Sequence, residues 1–411
     1  MERRVVITAE SSITPIGHGK KEIMGSLMNG RSGVRTLRED KFLAAYIHSK
    51  VFGTVDYEVE YDFPRKFRKT LAPVSFYACQ VAKEVMDSSG LDQDFVSSGR
   101  MGVAFGSIHG SPSVQRIIYE TFLNSSEGAY KSINASDYLK SMVHTTAVNI
   151  TRMFGITGRV ISSCTACTTG SQSIGYGYEA IKYGMQDAML CGAADEYDTT
   201  TVAVFDNLLA CSTAFNESPE KTPRPFDVNR DGLVVGEGAA ALLLEEYEFA
   251  KKRGAAILGE VVGFTCNNNG GDMILPSEKG VEQSIAMGLR DARLNPEDVS
   301  FISAHATATK MGDIVEARAI NSKYGNRPLV SGLKSYMGHT MSACGAIESV
   351  IALYMINEGI VFPTLNLEEV DERCAMINHV REIRDERIDI ASVQNFAFGG
   401  VNTCLFIKRM A

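Results

Sequence analysis

The chain has 411 residues, 45% hydrophobic and 22% charged, enough for one large core or two fused ones and incompatible with disorder, collagen or coiled coil. Its net charge of −8 argues against an electrostatic grip on nucleic acid, which needs a basic face. No apolar run reaches the roughly 18 residues of a membrane helix, and the first residues run into a strand-like segment without a signal-peptide core, so no membrane span and a cytoplasmic location are expected.

Apolar runs rich in Val, Ile and Ala predict strands buried on both faces over residues 5–9, 102–105, 188–193, 239–244, 301–304 and 390–396. Between them lie helical periods, for example Ile347, Val350, Ile351 and Tyr354, closed by Gly359. This alternation predicts an α/β architecture. A division falls between 1–246 and 247–411, near the basic segment 249–254, but the letters themselves carry no legible duplication. Nine scattered cysteines, an odd count in a chain too large to need staples, are expected to be thiols.

Two pattern matches have bland readings. Gly175, Gly177 and Ala180 fit a loose dinucleotide fingerprint, yet they lie inside a helical stretch and read as packing positions. Asp227, Asn229 and Asp231 open like a calcium loop, but the twelfth position is Gly238 and Glu237 comes one residue early.

A third match carries chemistry. Cys164 and Cys167 have redox or half-zinc spacing without a second ligand pair, so no metal site is expected. The run Ser162-Ser163-Cys164-Thr165-Ala166-Cys167-Thr168-Thr169-Gly170 instead permits a sharp strand-to-helix turn. A thiol there faces the unpaired N–H groups of a helix start, which favour thiolate. His305 follows an apolar strand in a small-residue loop, and Lys334 and His339 flank another. Near the C-terminus Phe398 precedes Gly399 and Gly400, a pair that weakens a strand and implies close backbone approach.

Taken together, these residues resemble the elongating β-ketoacyl-acyl-carrier-protein synthases of the thiolase superfamily. The resemblance spans nearly the whole chain: Thr14-Pro15-Ile16-Gly17, Thr165-Ala166-Cys167, Arg224-Pro225-Phe226-Asp227, then His305 with Thr307, Thr309 and Asp313, Lys334 to His339, and Phe396 to Asn402. It implies a thiolase fold with a duplicated five-layered α-β-α-β-α core, an N-terminal half bearing the nucleophile and a C-terminal half bearing both histidines. It also implies a dimer, either of identical copies or with a related ketosynthase-like subunit. The implied reaction is a decarboxylative Claisen condensation: Cys167 takes the acyl group from an acyl carrier protein and a malonyl-carrier then extends it. By the same resemblance Cys167, His305, His339 and Lys334 are catalytic, and the Cys167 and Phe398 N–H groups form an oxyanion hole. Phe398, Gly399, Gly400 and His109 belong to the gate and acyl pocket, Thr307 and Thr309 to the pantetheine contact, and Asp313 and Glu348 to a supporting shell. Arg65, Lys66, Arg68 and Lys69 match carrier-docking positions, and no bound cofactor is implied beyond the carrier's phosphopantetheine.

Departures from the family pattern bear on the substrate. Ser303 and Ala306 replace the usual Asn and Gly around His305, a change that is harmless if the Ala306 torsion stays negative. By the resemblance His109 falls at or beside the position that caps the acyl pocket across the dimer, and a titratable ring there favours an unsaturated or aromatic chain, as in aryl polyene or type II polyketide synthesis, over housekeeping fatty acid elongation. A non-catalytic chain-length-factor role conflicts with the retained Cys167. Thiolase itself conflicts with Cys404, which lacks a Cys-x-Gly context.

Overall fold

The computed structural model describes residues 2–37, 46–61, 63–124 and 133–410. Five strands of the first half, β1 (Val5–Thr14), β2 (Met101–Gly106), β3 (Val160–Ile161), β4 (Ala188–Asp195) and β5 (Gly238–Glu246), form a sheet in the order β3-β2-β4-β5-β1. Five of the second, β6 (Gly259–Asn268), β7 (Phe301–Ser303), β8 (Leu329–Ser331), β9 (Ile390–Phe396) and β10 (Val401–Lys408), follow in the order β6-β10-β9-β7-β8. The second order repeats the first. In each half the two long hairpin-like pairings are antiparallel and the two at the far edge are parallel. Antiparallel pairing of Val5 with Val261 and Ile7 with Gly259 joins the sheets through β1 and β6.

Helices cover every face. In the first half α1 (Pro73–Ser89) and α2 (Thr145–Phe154) pack on the outer side of its sheet, and α3 (Thr169–Lys182) lies on the inner side. In the second, α4 (Glu278–Ala292) and α5 (Lys310–Tyr324) are outer and α6 (Cys344–Glu358) is inner. The inner helices α3 and α6 touch each other between the sheets, giving the five-layered α-β-α-β-α thiolase fold. Because both faces of β4 are covered, all eight of its residues are buried, as the continuous apolar run predicts.

The middle layer is tight. A β-carbon at Gly175 would lie 2.3 Å from the Phe264 ring, and one at Gly177 would lie 2.1 Å from the Cys191 Sγ, so these glycines serve packing. The calcium-like segment is also structural. Asp227 accepts from the Arg224 guanidinium and the Asn229 N–H, and Asp231 accepts from the Thr213 and Ala214 N–H groups, so their oxygens are already committed. All nine cysteines are thiols, and among the described residues no helix is long and apolar enough to cross a membrane.

Candidate active site

Three side chains from distant segments meet between the sheets. The ligand atoms of Cys167, His305 and His339 lie within 4.8 Å of one another, and all three residues are buried. Cys167 sits on the turn after β3, His305 follows β7, and His339 follows β8.

Local chemistry builds the first turn. Ala166 at φ +49° opens a 3-10 turn, Ala166–Thr168, that leads straight into α3. The Thr165 N–H donates to Thr169 Oγ1 at 2.8 Å, and the Thr168 and Thr169 hydroxyls donate back to the carbonyls of Thr165 and Ala166 at 2.7 and 2.8 Å. The small residues are needed because a β-carbon at Gly170 would stand 2.7 Å from the Ser342 carbonyl oxygen and 2.8 Å from the Ala346 nitrogen. The same turn recurs before α6, where Met341 has φ +50°. There the Ser342 N–H donates to Asp195 at 2.7 Å, and the Cys344 thiol donates to the Cys167 carbonyl at 3.2 Å.

Electrostatics at this turn depart from the sequence expectation. Burial pushes the Cys167 thiol up to about 12, Lys334 pulls it down, and Asp195 and Glu348 add to the rise. Burial is the largest of these influences, and it favours the protonated thiol.

Each histidine has a defined tautomer. The Met341 N–H donates to His339 Nδ1 at 3.2 Å, which leaves the proton on Nε2, a buried atom with no protein partner. Lys334 Nζ lies 3.3 Å from His305 Nδ1. An ammonium only donates, so His305 Nδ1 accepts and its proton too is on Nε2. Burial, the Lys334 charge and His339 hold His305 well below the ordinary histidine range, and burial with Lys334 does the same for His339. Both rings are neutral Nε2–H donors. Two N–H groups beside an ammonium also make a hostile cradle for a metal cation.

Lys334 itself is held by Glu348 at 2.5 Å, and the second Glu348 oxygen accepts from Asn395 Nδ2 at 2.7 Å. The pair stays ionised, because each charge is met by its partner and the carboxylate by a further donor. Glu348 also shows that α6 is buried all round rather than amphipathic, with every residue from 344 to 356 out of water.

Matches to family models decide the assignment. The β-ketoacyl synthase N-terminal domain matches residues 2–250 and its C-terminal domain residues 258–368. The chain belongs to the β-ketoacyl synthase family. This synthase is 32% identical over 409 residues to 3-oxoacyl-[acyl-carrier-protein] synthase 1 of Haemophilus influenzae, covering 99% of each chain. It is 34% identical over 418 residues to 3-oxoacyl-[acyl-carrier-protein] synthase 2 of Coxiella burnetii, covering 100% of this chain and 99% of the relative. A β-ketoacyl synthase structure from Burkholderia phymatum superposes with a TM-score of 0.95 at 40% identity, covering all of both chains. The ishigamide ketosynthase/chain length factor superposes at 0.90 and 28% identity, again over all of both chains. The synthase is an acyltransferase that forms carbon–carbon bonds.

The synthase's His305 loop differs from expectation. Ala306 has φ +42° and Ala308 φ +65°, so the Ala306 torsion is positive, not negative. Two acidic side chains hold this strained loop. Glu316, which the sequence reading missed, accepts from the His305 and Ala306 N–H groups at 2.7 Å each. Asp313 accepts from Ala308 at 3.1 Å and Phe226 at 2.7 Å, with Arg230 3.6 Å away. The available signal was the i, i+3 spacing of the two acids, which puts them on one face of α5.

A cavity of about 230 Å³ opens onto the three side chains, and Thr307, Thr309, Phe398 and Gly400 line it. The two threonine hydroxyls lie 3.0 Å apart. Phe398 stacks on Phe205 with centroids 5.6 Å apart. Gly399 and Gly400 have φ +82° and +70°. A β-carbon on Gly399 would touch nothing, so torsion rather than close approach explains that glycine; at Gly400 it would also press on Asn269 at 3.0 Å.

His109 is not brought to this cavity. Its side chain is exposed in the chain, and the residue of that loop packed with Phe205 and Phe398 is the adjacent Ile108. Arg65, Lys66, Arg68 and Lys69 are exposed on and beside the short helix Arg65–Arg68, with the Lys66 ammonium 4.9 Å over the Phe67 ring, and none of the four lines the cavity.

Proposed function

We propose that this synthase extends an acyl chain carried on an acyl carrier protein, with Cys167 as nucleophile and His305 and His339 as the donors that stabilise the enolate. The convergence of one sulfur and two neutral Nε2–H groups in one cavity carries the reading. Cys167 attacks the acyl thioester, a new C–S bond replaces the old one, and the thiol proton ends on the departing carrier thiol. The backbone N–H groups of Cys167 and Phe398 suit the tetrahedral oxyanion of this step. A malonyl-carrier then loses carbon dioxide, and its thioester oxygen gains negative charge that the two Nε2–H groups meet. The enolate carbon attacks the acyl-cysteine, the C–S bond breaks, and the sulfur takes up a proton from solvent. The product is a β-ketoacyl-carrier two carbons longer. Lys334 keeps its charge through Glu348 and fixes His305, and Thr307 and Thr309 suit the amides of the pantetheine arm. Beyond that arm the reaction calls for no cofactor.

The likeness to 3-oxoacyl-[acyl-carrier-protein] synthases 1 and 2 supports the fatty acid elongation reading. Retained Cys167 opposes a non-catalytic chain-length-factor role. Dimer formation belongs to the same reading: β3 is a sheet edge, and its Val160 is exposed. A condensation assay tests the proposal. Acyl-carriers with saturated, polyenoyl and aryl chains are supplied with malonyl-carrier; extension of saturated chains is expected, and extension of polyenoyl or aryl chains alone would contradict the pathway reading.

A further inference from the structure

A buried acid at the end of β4 reaches both sides of the site without entering it. Asp195 is 4% exposed and stands behind the cavity lining. Its Oδ1 accepts from the Ser107 hydroxyl at 2.9 Å and the Ile108 N–H at 3.1 Å, both on the loop after β2. Its Oδ2 accepts from the Ser342 N–H at 2.7 Å, on the turn before α6. An acid is costly to bury unless its oxygens are hydrogen-bonded, and here both are used.

The residues held in this way lead directly to the chemistry. Ile108 packs with Phe205 and Phe398, two of the side chains that line the cavity. Met341, next to Ser342, gives its N–H to His339 Nδ1 and so keeps the proton on Nε2. Its side chain enters the same apolar cluster as Ile108. Neither segment is placed by regular structure alone. The loop leaves its strand at Gly106, and Met341 is held at φ +50°, a torsion that a side chain keeps only where its neighbours impose it. One side chain therefore seats two segments more than 200 residues apart.

We propose that Asp195 is a positioning residue that keeps the acyl-pocket wall at Ile108 and the enolate donor His339 in one register. The inference rests on the condensation reading above and adds a residue on which both of its steps depend. Asp195→Ala removes the acceptor from both segments, and Ser107→Ala removes a support of the Ile108 loop alone. Acyl transfer to Cys167 is measured across acyl-carriers of increasing chain length, and carbon dioxide release from malonyl-carrier on enzyme acylated beforehand, with thermal unfolding as the check on folding. In Asp195→Ala the limiting rate of carbon dioxide release falls at least about tenfold, and the malonyl-carrier concentration giving half that rate stays within about twofold. The ratio of transfer rates for long against short chains changes at least about threefold in the same variant. Ser107→Ala shifts that ratio and leaves carbon dioxide release within about twofold. If Asp195→Ala fails to fold, Asp195→Asn takes its place: an amide has one acceptor oxygen, so it reproduces one of the two effects. Neither effect in Asp195→Asn, either effect without the other in Asp195→Ala, or a loss shared by rate and half-saturation at an unchanged chain-length ratio overturns the proposal. An acylated wild type that releases no carbon dioxide overturns the condensation reading instead.

Discussion

A thiol and two imidazoles can share a buried site only if their protons are arranged, and here the arrangement is enforced from behind. Met341 and Lys334 occupy the Nδ1 atoms of His339 and His305, so both Nε2–H groups face the cavity. Since burial and Lys334 keep both rings neutral well below their ordinary range, malonyl decarboxylation is expected to show no ionisation near pH 6.5; a pH profile of carbon dioxide release checks this, and an acid limb centred there contradicts it. Ala306 supplies a second test. Relief of its φ of +42° by Ala306→Gly is expected to raise stability by up to about 1 kcal/mol in urea unfolding, the looser unfolded chain offsetting part of the gain. Glu316 supplies a third. Burial first, then Asp313, raise its carboxyl to about 8 against two N–H donors that lower it, so the folded state holds a proton that the unfolded state has lost. Stability from this group therefore falls as pH rises from the ordinary glutamate range through about 8, and Glu316→Gln should flatten that slope.

Individual elements show where sequence stops speaking. The Cys167 turn is legible because a run of small residues after an apolar pair has few other uses. Its twin before α6 is not, although Met341 repeats the torsion of Ala166 to within a degree, because Met341-Ser342-Ala343 shares no chemistry with Ala166-Cys167-Thr168. Strands β6 and β10 escape the apolar pattern for a similar reason. Glu260, Asn402 and Thr403 interrupt it, yet all three are buried because sheets and helices cover both sides. At the loop after β2, Ile108 packs with Phe205 and Phe398 while its neighbour His109 is exposed in the single chain. Glu316 was missed because the letters do not show which N–H groups a buried acid meets; only its i, i+3 spacing to Asp313 was there to read. The contact between the starts of α3 and α6 can be probed directly. Gly170→Ala places a β-carbon against Ser342 and Ala346, and is expected to cost about 1–3 kcal/mol in denaturant unfolding and to slow Cys167 acylation.

At the scale of the whole molecule, duplication is what creates the site. Two copies of one strand order place the inner helices α3 and α6 side by side, so that Cys167 comes from the first half and His305, Lys334 and His339 from the second. Neither half holds the set alone. The family motifs convey this assembly, whereas residue patterns within each half do not, since the halves share topology rather than letters. The central claim is that Cys167 receives the acyl chain from its carrier, and intact-mass analysis tests it most directly. After incubation with an acyl-carrier protein, the wild type should gain the mass of one acyl group, located at Cys167 by peptide mapping and absent from Cys167→Ala. No mass gain, or a gain that persists in Cys167→Ala, would contradict it.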